Sequence, residues 1–256
     1  MRTAAFVPLQ AALVSIFAAL VSLAGWGAPA RGQVVDGAGG VGRVQSYGFS
    51  TSYSKTSSHI LIGDAERRRI WTLGAEYTHL LHQGQRFRLD YEGSLMPLFE
   101  ETDPTVTGTI FTNGGQSIIT PQTPVRVVAV YHGPVGVAVT GTNSSAPLYA
   151  LFGRQDTYAA ACAPLGVRIS ALPRWRVQPS MALDLGFVVS ARDIPVDEAD
   201  RFNYMFSLGP GVQFVTGPQA SVRVEYIYRH VSNAGQGSQN PGVDQGVFRV
   251  TMSRRW

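Results

Sequence analysis

From about residue 41 onward, apolar and polar residues alternate with period two. Phe202, Tyr204, Phe206, Leu208, Val212 and Phe214 share one parity, and Asn203, Met205, Ser207, Gly209, Gly211 and Gln213 share the other. Trp175, Val177, Met181, Leu183, Leu185, Phe187 and Val189 oppose Arg176, Gln178, Ser180, Asp184 and Ser190. Phe87, Leu89, Tyr91 and Leu95 oppose Arg86, Arg88, Asp90, Glu92 and Ser94, and Trp71, Leu73, Ala75, Tyr77 and Leu81 oppose Thr72, Gly74, Glu76 and Thr78. Side chains on a strand point alternately to its two faces, so each segment has one apolar and one polar face. No helical period competes, and the chain reads as all-β.

Two architectures give this pattern. A soluble sandwich or barrel turns its apolar face inward, whereas a membrane barrel turns it outward to lipid and fills its lumen with polar groups. The long apolar faces suit strands that cross a bilayer at a tilt. Arg, Asp and Glu in mid-strand suit a lumen network. The chain also closes on Phe248, Val250, Met252 and Trp256 of one parity, a terminal aromatic strand of the outer-membrane type, with Arg254 interrupting that face near the interface.

Eight strands are expected, at about 41–54, 68–82, 85–99, 159–171, 174–190, 201–216, 219–232 and 245–256. His82-Gln-Gly-Gln85, Leu172-Pro-Arg174 and Thr216-Gly-Pro-Gln219 are tight turns built on Gly or Pro. The linkers 55–67, 100–158, 191–200 and 233–244 are longer. Short and long alternate, as periplasmic turns and extracellular loops do. The expected fold is an eight-stranded antiparallel transmembrane β-barrel of the outer membrane, with a long extracellular insertion at 100–158. Within the insertion, Val125 to Tyr131 and Val135 to Thr140 read as a hairpin above the membrane; two added barrel strands are the alternative.

Residues 1–30 read as a signal peptide. Arg2 is the positive start, Ala11 to Leu23 the apolar run, and Ala28-Pro29-Ala30 the cleavage site, leaving 31–256 as the barrel. The apolar run is short for a membrane anchor. The single cysteine, Cys162, has no partner for an internal disulfide and reads as a small buried hydrophobe. Net charge is +4, and Lys55 is the only lysine among 21 basic residues. No basic run suggests nucleic acid. The charge suits anionic lipid or lipopolysaccharide at a membrane surface.

The chemistry concentrates near the C-terminus. Tyr226-Ile-Tyr-Arg-His-Val-Ser-Asn-Ala-Gly235 is followed by Asn240-Pro-Gly-Val-Asp244. On the strand at 219–232, Arg223, Glu225 and Arg229 take one parity and belong in a lumen. Val222, Val224, Tyr226 and Tyr228 take the other and belong to lipid, and His230 and Ser232 continue their row. Both therefore point outward, at the level of the outer leaflet. His230 is placed to act as base for Ser232, and Asp244, on the next antiparallel strand, to orient the imidazole. Asn233, Gly235 or Asn240 is placed to hold an oxyanion or shape the site. The loop at 233–240 lacks the acidic ligands of a calcium loop, so no metal and no cofactor is expected. His59 and His132 fall in loops, and His79 and His82 near a turn; none is expected in catalysis.

The stretch Arg229-His-Val-Ser-Asn-Ala-Gly235 with Asn240-Pro-Gly-Val-Asp244 resembles the active-site strand and loop of the lipid A 3-O-deacylase (PagL) family. The resemblance implies an eight-stranded outer-membrane hydrolase with its site on the barrel exterior. It implies His230 as base, Ser232 as nucleophile and Asp244 as triad acid, with Asn233 and Asn240 shaping the site or its oxyanion hole. The substrate it implies is lipid A, and a homodimer is left open. Two departures stand out: Asp244 takes the place of the Glu of better-known members, and 100–158 is long. The rival readings are a non-enzymatic barrel displaying the 100–158 loop, which requires His230 and Asp244 to lie too far apart for a relay, and an outer-membrane phospholipase.

Overall fold

The computed structural model describes residues 45–113, 116–129 and 148–255. The expected signal peptide and Trp256 lie outside the described residues. The strands are β1 (Gln45–Ser54), β2 (Arg69–Gln83), β3 (Phe87–Asn113), β4 (Gln116–Arg126), β5 (Leu148–Ala171), β6 (Val177–Ile194), β7 (Asp200–Val215), β8 (Ala220–Ser232) and β9 (Val243–Arg255). Each neighbouring pair is antiparallel. Strands β1, β2, β3, β5, β6, β7, β8 and β9 close a ring of eight, and among the described residues β4 pairs with β3 alone. Closure leaves no strand edge in the ring unpaired, the condition for a sheet to stand in lipid.

The parity read from the sequence holds around the ring. Outward rows carry Phe49, Leu95, Leu165, Val189, Leu208, Phe248 and Met252, all exposed. Inward rows carry the charges. Arg223 pairs with Glu76, with Glu92 at 3.0 Å and with Glu225 at 3.0 Å. Arg168 pairs with Glu92 and with Glu225 at 3.2 Å. Arg249 meets Glu225 at 2.7 Å and Asp184 at 3.1 Å. An isolated ion so buried is costly, and opposite charges facing across a narrow lumen offset much of that desolvation.

Nearer the loop end the lumen turns apolar. Ile70, Met96, Phe99, Ala161, Val188, Met205, Val231 and Val243 pack together as a plug. Over the plug, Arg68 reaches Asp103 at 3.1 Å, and Arg126 reaches Asp103 at 3.5 Å and Asp197 at 2.6 Å. Burial lowers the Arg68 guanidinium pKa, and the Asp103 and Glu101 carboxylates oppose that shift.

The insertion departs from expectation. β3 runs on to Asn113 rather than ending near 99, and β5 starts at Leu148 rather than 159. The extended hairpin is β3–β4, not 125–131 with 135–140. Val125 and Arg126 end β4, residues 127–129 have left the strand, and 130–147 lie outside the described residues. The physical reason is a pair of register shifts, one between Met96 and Phe99 and one between Cys162 and Leu165. Each spans a proline, Pro97 or Pro164, which cannot donate to the ladder and is tolerated at a bulge. A one-residue shift exchanges the faces. Even positions such as Asp90 and Glu92 point inward before Pro97, and the odd Phe99, Glu101 and Asp103 point inward after it. The alternation thus breaks in the sequence while the strand continues. Cys162 sits half-buried, in the outward parity just before the second shift, rather than in a core.

Candidate functional site

The register of β8 against β9 sets His230 opposite Asp244. Both belong to outward rows. His230 Nδ1 lies 2.6 Å from Asp244 Oδ1. Ser232, one outward position further along β8, is part-exposed and opposite Tyr204 of β7, while His230 is opposite Phe206. Among the described residues the Ser232 hydroxyl has no hydrogen-bond partner in the chain. The geometry therefore brings together His230 and Asp244, the pair expected from the sequence. It sets the hydroxyl on the same face, open to whatever docks there.

Asp244 faces outward yet is fully buried. Two neighbours cover it. Tyr228, the preceding outward residue of β8, donates its hydroxyl to Asp244 Oδ1 at 2.7 Å. The loop joining β1 and β2 folds over the start of β9 and donates the backbone N–H of Leu61 and of Ile62 to Oδ2, at 2.6 and 2.9 Å. With Nδ1–H assigned to the His230–Asp244 bond, all four donors suit an ionised carboxylate. The same bond fixes the imidazole tautomer and leaves Nε2 as the acceptor. Among the described residues no arginine or lysine pairs with Asp244: the acid is held by neutral donors and by His230.

The loop is tied to the start of β9 and to the two residues before Val243. Ser58 N–H donates to Asp244 O at 3.2 Å, Asp64 N–H to Pro241 O at 2.5 Å and Ala65 N–H to Gly242 O at 2.9 Å. Two glycines permit the approach. A Cβ on Gly63 would lie 2.6 Å from the Asp244 nitrogen, and one on Gly242 would lie 2.9 Å from His230 Cε1. Gly242 also has φ +59°, which disfavours a side chain.

The expected oxyanion donors separate into two kinds. Asn233 is buried, and both ends of its amide are engaged: Nδ2 donates to Gln239 O at 2.9 Å and Oδ1 accepts Gly235 N–H at 2.9 Å. Asn233 and Gly235 thus build the β8–β9 turn that shapes this end of the site. Asn240 accepts Asn233 N–H at 3.2 Å through Oδ1, which leaves its Nδ2 on the exposed side. His59 is exposed beside Asp64 at 3.1 Å, and His79 and His82 sit near the β2–β3 turn, away from the site. His132 lies outside the described residues. Among the described residues no cluster of three His, Cys, Asp or Glu side chains is arranged to hold a metal ion.

Sequence reasoning missed the Tyr228 hydroxyl as a partner of the acid, and the Leu61 and Ile62 amides. The parity of Tyr228 was available, since it shares the row of His230. The amides carried no side-chain signal.

A closed antiparallel ring with an apolar outer wall and an ion-paired interior is an outer-membrane β-barrel, here with His230, Ser232 and Asp244 in its outward rows. Residues 175–253 match the family model described as Lipid A 3-O-deacylase (PagL). The resemblance carried by residues 226–244 is therefore borne out, and the match spans β6 to β9, where the site lies. It supports an outer-membrane enzyme of the lipid A deacylase type.

Among solved structures, the chain is similar to the outer membrane enzyme PagL at 14% identity, with a TM-score of 0.46, covering 80% of this chain and 97% of that one. It is similar to Neisserial surface protein A at 12% identity and a TM-score of 0.40, covering 83% and 97%. It is also similar to outer membrane protein OprG from Pseudomonas aeruginosa at 9% identity and a TM-score of 0.36, covering 85% and 98%. No curated protein matches.

Proposed function

We propose that the barrel is a serine esterase that removes an ester-linked acyl chain, at the 3-O position, from lipid A in the outer leaflet. The observation that carries this reading is the 2.6 Å bond between His230 and Asp244 on the outward face of β8 and β9. The non-enzymatic reading predicts these two residues apart, so their bond favours the enzyme. A site on the outer wall suits a substrate that arrives by lateral diffusion in the membrane, because its acyl chains need not leave the apolar phase. The family matched by 175–253 bears the name of that reaction.

In the proposed mechanism, His230 Nε2 takes the Ser232 proton as the oxygen attacks the ester carbonyl. Asp244 steadies the imidazolium through Nδ1–H and does not itself become protonated. The carbonyl oxygen carries the developing negative charge, and Asn240 Nδ2 is the side-chain donor offered to it. The tetrahedral intermediate expels the sugar alkoxide, which receives the proton from His230 Nε2. Water, deprotonated by His230, then releases the fatty acid from Ser232. Tyr204 and Phe206, opposite Ser232 and His230, flank the acyl ester on the β7 side.

Mass spectrometry of lipid A from cells carrying wild type or Ser232→Ala tests the reading. Wild type should yield lipid A short of one acyl chain, and Ser232→Ala should not. Equal acylation, with both proteins folded in the outer membrane, would overturn it. Phospholipid cleavage in place of lipid A cleavage would identify a phospholipase.

A further inference from the structure

The β1–β2 loop, residues 55–68, is polar and charged except at Ile60-Leu61-Ile62 and Ala65. That apolar triplet includes the two residues whose backbone N–H groups hold Asp244 Oδ2. Holding a carboxylate through backbone amides places no demand on side-chain type. Yet Leu61 is 48% and Ile62 66% exposed, while Gly63 beside them is buried against β9. The loop lies over the outward face of β9. Further along the same face, Tyr226 and Phe248 stand exposed in the lipid-facing rows. Two large aliphatic side chains at this place extend the barrel's apolar outer surface. They are attached to the segment that orients the triad acid.

We propose that Leu61-Ile62-Gly63 is a lipid-seated clamp. The Leu61 and Ile62 side chains insert among the acyl chains of the outer leaflet. That insertion keeps their amides on Asp244 and so keeps Asp244 on His230. Leu61 and Ile62 are positioning residues: they act on the reaction through Asp244, and the inference rests on reading Asp244 as the triad acid. Apolar side chains leave water favourably for a hydrocarbon phase. A loop held by three backbone hydrogen bonds and two carboxylate bonds can then stay closed in a bilayer. Without the apolar anchor it is a short segment of exposed backbone, the kind that opens locally. The clamp would restrict full activity to protein seated at the correct depth in a membrane.

Two measurements in proteoliposomes of phosphatidylethanolamine, phosphatidylglycerol and lipid A test the clamp. First, the fluorescence of Ile62→Trp, made in a chain whose Trp71, Trp175 and Trp256 are replaced by Phe, should be quenched by phosphatidylethanolamine brominated on its acyl chains. Absence of quenching overturns the insertion. Second, Leu61→Ser with Ile62→Ser should lower kcat tenfold or more with KM within about twofold, and should broaden or remove the downfield Nδ1–H resonance of His230. Leu61→Val with Ile62→Val should restore both. A wild-type kcat with an unchanged resonance overturns the clamp, as does a rise in KM alone, which would mark the residues as substrate contacts. The resonance is also read in Ser232→Ala, so it tests the clamp without turnover. Failure of the esterase reading would show separately, as absence of acyl release by wild type.

Discussion

Tyr228 and His230, neighbours in one outward row of β8, converge on a single oxygen: the Tyr228 hydroxyl lies 2.7 Å and His230 Nδ1 2.6 Å from Asp244 Oδ1. The two donors fix the carboxylate plane from the β8 side, while the Leu61 and Ile62 amides fix its other oxygen. Tyr228→Phe removes one donor to a charged acceptor, an interaction of about 1.5–3 kcal/mol. Expected is a roughly tenfold to hundredfold fall in kcat, with KM little changed. Initial rates of acyl release from lipid A in proteoliposomes check it.

Asp244→Asn keeps the shape of the acid and reverses the tautomer logic. The amide cannot stabilise an imidazolium, and its NH2 competes with the Leu61 and Ile62 amides for space on one side. A loss of kcat on the order of 10⁴-fold is expected, by analogy with the same change in a soluble triad. Normal folding, read as heat-modifiable migration on a gel, should accompany it.

Gly242→Ala adds a methyl 2.9 Å from His230 Cε1 at a residue with φ +59°. Gly235→Ala is the control, since φ there is +78° but nothing stands within 4 Å of the added atom. Both carry a left-handed backbone cost of about 1–2 kcal/mol. Only Gly242→Ala should displace the imidazole, so activity should fall much further for Gly242→Ala at similar stability. Comparable losses in the two would show that backbone strain, not the imidazole contact, dominates.

Glu225 joins Arg168, Arg223 and Arg249 in the lumen. Glu225→Gln leaves excess positive charge where water is scarce. Breaking a buried ion pair from one side costs about 3–5 kcal/mol. Urea unfolding in detergent micelles should shift to lower concentration by a corresponding amount. Moderate salt should not rescue it, because buried charges are poorly screened.

Much of this was legible in the sequence for a simple physical reason. In a strand the face of a residue follows from its parity, so the outward direction of His230 and Ser232 could be read from Val222, Tyr226, Arg223 and Glu225. Antiparallel return across the 233–242 loop likewise brought Asp244 to His230. Two kinds of information were hidden. Pro97 and Pro164 reset parity inside continuous strands, so Phe99, Glu101 and Asp103 looked like the end of a strand when they line its inner face. The support of Asp244 comes from backbone N–H groups, which every residue but proline has. No residue type in 55–68 announces them. Asn233 adds a case in which residue type left two roles open, oxyanion donor or shaper of the site, and its partners are Gln239 and Gly235 in its own turn.

The filled interior has a consequence for the cell envelope. Ion-paired arginines and carboxylates occupy the middle of the barrel, and Phe99, Met205, Val231 and their neighbours seal the level above. Among the described residues these two levels fill the lumen, so a planar bilayer loaded with this protein should show no stepwise conductance. On that expectation the membrane holds many copies without gaining an aqueous pore. Its barrier would then respond only to what the outer wall does to the surrounding lipid.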